Sequence, residues 1–232
     1  MAISKDRKTG HIAGLNQRVF PMARYTLHGM FASGPTYKVG LMLRLTKTPF
    51  DYEHVDLRSG AHKADAFLAK NRYGQVPVLE DDEKDMCLCQ SSVILDYLAD
   101  ETGQFGGKDR AERLRAREWQ LWGAGQLTTG IYRTRALKLG FFNFNEQVAE
   151  ANLNAATGAL RELNGLLEGR DWLVGAAPTI ADIDIYGIAA YSGEAVIDLA
   201  AYPHLRRWMG RVEALPGYKG IADCLPKETV AA

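Results

Sequence analysis

Charge of one sign is the first thing this sequence lacks. Its 28 lysines and arginines are matched by 28 aspartates and glutamates. A nucleic-acid-binding domain usually carries a basic excess to neutralise phosphates, and none is present. The acidic surplus of a solvating protein is missing as well. So are long hydrophobic runs. No stretch approaches the ~18 consecutive apolar residues of a membrane span, and the longest mostly apolar segment, Ile183 to Ile197, is interrupted by Asp184, Gly187, Ser192, Gly193 and Glu194. Cysteine is scarce: 3 in 232 residues, an odd and small number that excludes a disulfide scaffold. There is no CxxC pair for self-contained dithiol chemistry. Cys87-Leu88-Cys89 alternates as a strand would, with too few Cys or His neighbours for a metal site. These absences predict a cytoplasmic protein without a metal, a nucleic-acid partner or a membrane partner.

What is present is an ordinary core-forming composition, 47% hydrophobic and 24% charged, in a length that allows one large domain or two small ones. Residues 1–24 set Lys5, Arg7, Lys8, Arg18 and Arg24 against one acid, Asp6, and read as a loosely held N-terminal extension. Patterned sequence begins at Tyr25. Tyr25 to His28 predicts a strand, and Gly34-Pro35 opens a helix with proline in its first turn and an apolar face of Val39, Leu41, Met42, Leu43 and Leu45. Phe50 to Leu57 reads as a second strand, Ala64 to Lys70 as a short helix, Val76 to Leu79 as a third strand and Met86 to Cys89 as a fourth, before a helix that starts at Ser91-Ser92. That order predicts an α/β domain over residues 25–103, a small mixed four-stranded sheet covered by helices. Residues 104–109, with Gly106-Gly107, read as a linker. Residues 110–232 read as all-helical: Arg110 to about Leu127, Asn145 to about Glu168, Thr179 to about Ala195 and Pro203 to about Leu215.

Pro77 is the first residue with functional content. Proline cannot donate to a strand ladder, so a proline at a strand entrance marks an edge or a special site. A cis Val76–Pro77 bond would turn the Val76 backbone outward, leaving its N–H and C=O free to pair with an extended peptide.

Several motifs then add up. Ser33-Gly34-Pro35 stands at the first helix, Asn71-Arg72-Tyr73-Gly74-Gln75-Val76-Pro77-Val78-Leu79 surrounds the proline, and Gln90-Ser91-Ser92-Val93-Ile94-Leu95-Asp96-Tyr97-Leu98 comes after the fourth strand. Tyr25 to Leu98 resembles the thioredoxin-like domain of cytosolic glutathione transferases, of a theta- or delta-like or related bacterial serine-type class. Asp171-Trp172-Leu173-Val174-Gly175 with Thr179-Ile180-Ala181-Asp182 is similar to that family's C-terminal signature. Physically, Thr179-x-x-Asp182 is a capping box for a buried helix, a structural role outside the active site.

The resemblance implies a glutathione transferase that activates the glutathione thiol for attack on an electrophilic small molecule, acting in detoxification as a homodimer. A glutathione-dependent disulfide reductase or peroxidase is the first alternative, and a non-enzymatic glutathione-binding or structural protein the second. Ser33 stands where a hydroxyl would donate to the thiolate beside a helix start; Tyr25 is its competitor. Gln90 and Ser91, at the start of a helix, would hold the γ-glutamyl end, with Gln90 standing where most relatives carry glutamate. Val76 and Pro77 would carry the peptide-binding edge. His62, with Gln75 opposite and Lys63 as a second cation, would meet the glycyl carboxylate. The acceptor pocket is expected around Trp122, Tyr132, Arg135 and Phe141.

Overall fold

The computed structural model describes residues 23–230. The expected extension therefore lies, up to residue 22, outside the described residues. Arg24 is firmly held: its guanidinium grips Asp81 at both oxygens (Nε–Oδ1 3.0 Å, Nη2–Oδ2 2.6 Å) and reaches Glu101.

The elements run β1 (Tyr25–Gly29), α1 (Gly34–Leu45), β2 (Phe50–His54), α2 (Asp65–Lys70), β3 (Val78–Asp81), β4 (Met86–Cys89), α3 (Ser91–Thr102), then α4 (Arg110–Trp122), α5 (Thr128–Lys138), α6 (Glu146–Leu166), α7 (Ile180–Ala189) and α8 (Pro203–Glu213). The four strands form one sheet in the order β2-β1-β3-β4. β1 is parallel to β2 and antiparallel to β3, and β3 and β4 pair antiparallel. The parallel pair needs a crossover, which α1 provides. Alternation along β3 sends Leu79 into the main core with Leu27, Leu41 and Ile94, and Val78 to the other face with Val55 and Phe67 of α2. The sheet thus lies between α2 and the α1/α3 layer, and α7 packs on the far side of that layer.

α7 is buried at every residue from Ile180 to Ala189, so its N-terminus cannot be finished by water. The capping box finishes it. Asp182 accepts from the Thr179 N–H at 2.8 Å, and its other oxygen accepts from the Leu173 N–H (2.9 Å) and the Trp208 indole (2.8 Å). Burial pushes this carboxyl's pKa up while the four hydrogen bonds it accepts oppose the shift.

Four boundaries differ from the sequence reading. β3 begins at Val78, because Pro77 has no N–H to give the ladder and Val76 lies before it. β2 ends at His54, although the Val55 N–H still reaches the Gly29 carbonyl at 2.7 Å. α5 was not anticipated; a π-helical turn, Gly123–Leu127, joins it to α4. α7 stops at Ala189 and continues as a 3-10 turn, Ala190–Ser192. Among the described residues after α3 there is no strand, but Val230 forms an isolated antiparallel bridge with Tyr52, so the chain returns to the β2 edge. No helix among the described residues is long and apolar enough to cross a membrane.

Candidate functional site

A cleft of about 580 Å³ opens between the sheet unit and the helical unit. The start of α1, the turn Ala61–Lys63, the loop before β3 and the start of α3 form one wall. Ala124, Thr128 and Tyr132 form the other. Ser33, His62, Gln75, Val76, Pro77, Gln90 and Ser91 all line it.

Ser33 is the N-cap of α1, and its Oγ accepts from the Thr36 N–H at 3.3 Å. Capping occupies a lone pair and leaves the hydroxyl proton available, so cap and donor are compatible roles for one oxygen. The next residue must be small. A Cβ on Gly34 would lie 2.2 Å from the Tyr132 hydroxyl oxygen, which donates to the Gly187 carbonyl at 3.0 Å. Burial raises the Tyr132 pKa well above the ordinary phenol value, so this hydroxyl stays neutral. Tyr25 is 3% exposed in the core, with its pKa pushed up to about 12 by burial, and it does not line the cleft.

The Val76–Pro77 bond is cis. No backbone hydrogen bond among the described residues engages Val76, and Val76 lines the cleft, so its backbone N–H and C=O lack a backbone partner. Asn71 builds the approach to this edge: it is buried, its Nδ2 donates to the Gln75 carbonyl at 2.6 Å, and its Oδ1 accepts from the Tyr73 N–H at 3.0 Å. Beside it, Lys63 Nζ donates to the Gly74 carbonyl at 3.0 Å, and His62 Nδ1 is buried without a partner. An ammonium and an imidazole with an unmet ring nitrogen suit a carboxylate.

Ser91 is the first residue of α3 and caps nothing. Gln90 is the N-cap, makes no side-chain capping bond, and holds φ 71° and ψ 110°, a region that residues with a Cβ rarely adopt. The first N–H groups of α3 are therefore left for an anion, with the dipole of a 12-residue helix behind them.

Of the four expected acceptor-pocket residues, only Tyr132 lines the cleft. Trp122 stacks edge-on against Trp119 at 5.5 Å. Arg135 donates to Glu194 at 2.6 Å and lies over the Tyr191 ring. Phe141 is 42% exposed, with the Arg58 guanidinium 5.5 Å from its ring centroid. Ala124, within the π-helical turn, and Thr128, at the start of α5, line the cleft beside Tyr132. Sequence reasoning also missed Lys38, Ser92 and Thr128, which line the cleft. The available signal was a lone lysine inside the apolar run of α1.

Family models match in two blocks. The "Glutathione S-transferase, N-terminal domain" covers residues 23–100 and the "Glutathione S-transferase, C-terminal domain" residues 122–216. A solved glutathione S-transferase from Pseudomonas fluorescens [Pf-5] superposes with a TM-score of 0.81 at 32% identity, covering 87% of this chain and 100% of that one. The disulfide-bond oxidoreductase YfcG of Escherichia coli (strain K12) is 27% identical over 80% of this chain and 89% of its own length. Glutathione S-transferase GstB of the same organism is 27% identical over 84% of this chain and 96% of its own.

Proposed function

Because the chain belongs to the glutathione S-transferase family, we propose that it binds glutathione in this cleft and activates the thiol for attack on an electrophilic small molecule. The tripeptide would lie extended. Its cysteinyl backbone would pair with the N–H and C=O of Val76, beside Pro77. Its γ-glutamyl carboxylate would sit on the N–H groups and Ser91 hydroxyl at the start of α3, with Gln90 at the amino end. Its glycyl carboxylate would reach His62, Lys63 and Gln75. The sulfur then falls toward Ser33. The thiol loses its proton to solvent, the thiolate forms the new bond to the electrophile, and the leaving group departs with its electron pair. The Ser33 hydroxyl donates to the sulfur while it is anionic, which favours the reactive form.

The observation that carries this reading is Ser33 itself: a cap whose hydroxyl proton remains free, in one cleft with a free peptide edge and an open helix start. Ser33→Ala should raise the pKa of the bound thiol and lower turnover by about ten- to a thousandfold, the scale of losing one oxyanion donor, with little change in glutathione affinity. Undiminished conjugation by the variant would overturn the role of Ser33.

A second reading, glutathione-dependent disulfide reduction or peroxide reduction, is favoured by the second wall. With Trp122 and Phe141 elsewhere, the acceptor side is built from Ala124, Thr128 and Tyr132, a small and partly polar surface. Similarity to a protein named a disulfide-bond oxidoreductase points the same way. Parallel assays with a chloro-nitrobenzene, a hydroperoxide and a mixed disulfide separate the reactions, and inactivity in all three despite glutathione binding would leave a binding or structural role. We also propose a cytoplasmic homodimer acting in detoxification. The unpaired Cys87, Cys89 and Cys224 suit a reducing compartment, and sedimentation tests the dimer.

A further inference from the structure

Beneath the cleft lies a buried polar cluster that the proposed chemistry does not use. Lys38, in the second turn of α1, is 4% exposed, and Asp184, in the middle of α7, is 1% exposed. The Lys38 ammonium pairs with Asp184 Oδ1. Asp184 Oδ2 accepts from the Ser92 hydroxyl, in the first turn of α3, at 2.5 Å. The stem of Lys38 passes over Gly187, where a Cβ would lie 2.4 Å from Lys38 Cγ. Lys38 and Ser92 line the cleft, whereas Asp184 lies behind them.

We propose that Asp184 is a positioning residue that ties together the two helix starts forming the cleft, and that it holds the Lys38 ammonium so that the positive end of a buried dipole faces the glutathione sulfur. This inference rests on the glutathione reading above. A buried ion pair is weak evidence for stability, because desolvation offsets much of its Coulomb attraction and apolar replacements of similar volume often fold as well. Its geometry here is directional. Lys38 lines the cleft and Asp184 does not, so the cationic partner is the one the cleft meets, and a fixed charge at a buried position acts on a nearby anion more strongly than one in water. The arms serve different parts of the tripeptide, the central thiol and the γ-glutamyl end. Lys38 shares α1 with the start that carries Ser33. Ser92 adjoins Ser91 at the start of α3, where the γ-glutamyl carboxylate would bind. The other titratable groups around Lys38 are neutral Tyr132 from α5, which shares Gly187 with the lysine stem, and His62 and Lys63 across the cleft.

The test titrates the thiol of bound glutathione by its thiolate absorbance in the full-length protein, alongside glutathione affinity by calorimetry and kcat and KM for conjugation. Lys38→Met should raise the bound-thiol pKa by about one unit, a tenfold loss of thiolate at neutral pH, and lower kcat by about the same factor. Lys38→Arg should restore most of it. Ser92→Ala, a half-buried site that leaves the ion pair intact, should instead raise the glutathione KM by about three- to tenfold with the thiol pKa unchanged. A Lys38→Met protein that binds glutathione with the wild-type thiol pKa overturns the proposal, as does a Ser92→Ala protein with unchanged KM. Should Lys38→Met fail to fold, Ser92→Ala and Lys38→Arg still decide it. Failure of the wild-type protein to bind glutathione would instead overturn the functional reading on which the proposal rests.

Discussion

A Cβ at position 34 has nowhere to go. The Tyr132 hydroxyl oxygen stands 2.2 Å from where that carbon would be, and the same hydroxyl holds the Gly187 carbonyl. Gly34→Ala should therefore push Tyr132 off the start of α1. The cost should be about 1–3 kcal/mol of stability for overpacking, read as a lower melting temperature, with a larger fall in kcat than in glutathione affinity because the second wall moves. Ser91 offers the contrasting case. Its hydroxyl caps nothing, so Ser91→Ala should leave stability within about 0.5 kcal/mol while raising the glutathione KM more than it lowers kcat. An unchanged KM would move the carboxylate site elsewhere. At this scale the sequence exposed the residues that stand at element boundaries. Ser33, Gln90 and Ser91 could be found because caps and helix starts are local. Lys38 and Asp184 could not, since each is a charged residue in a largely apolar helix and only tertiary packing pairs them.

Among elements, the hairpin end of the sheet shows how a short strand is fixed. Asp81, the last residue of β3, is 2% exposed and takes both arms of Arg24 and the Tyr97 hydroxyl. The Arg24 hydrogen bond is the largest influence on this carboxyl and lowers its pKa from the ordinary 3.8 to about 2. Because the folded pKa is the lower one, the stabilisation is complete above the unfolded value and disappears as pH falls through the folded one. Stability should thus drop by about 2 kcal/mol between roughly pH 4 and pH 2, and Arg24→Ala should remove most of that step in acid-unfolding curves. β1, β4 and the start of α3 were legible from alternation and turn residues. β3 was misjudged by two residues because hydrophobic pattern alone does not register that proline lacks a ladder donor. α5 escaped because the π turn shifts the apolar period and because Thr128, Thr129 and Gly130 are poor helix formers rescued by packing against α6. Of the expected acceptor side, Tyr132 alone lines the cleft.

Across the whole molecule, the division into a mixed sheet and a helical bundle was legible from composition and order, but the dependence of one on the other was not. α1 and α3 present to α7 a face that includes a buried ammonium, and the carboxylate that answers it lies 146 residues further along the chain. A fragment spanning residues 23–109 should accordingly show no cooperative thermal transition, as monitored by circular dichroism; a sharp transition in that fragment would show the sheet unit to be self-sufficient. The bridge between Tyr52 and Val230 sets a similar dependence at the β2 edge. Both contacts have a consequence for the order of synthesis. A ribosome delivers the thioredoxin-like half first, with an uncountered lysine on one face and a bare strand on one edge, and both wait for segments synthesised later. During translation the lysine is answered when α7 arrives and the strand edge when Val230 does.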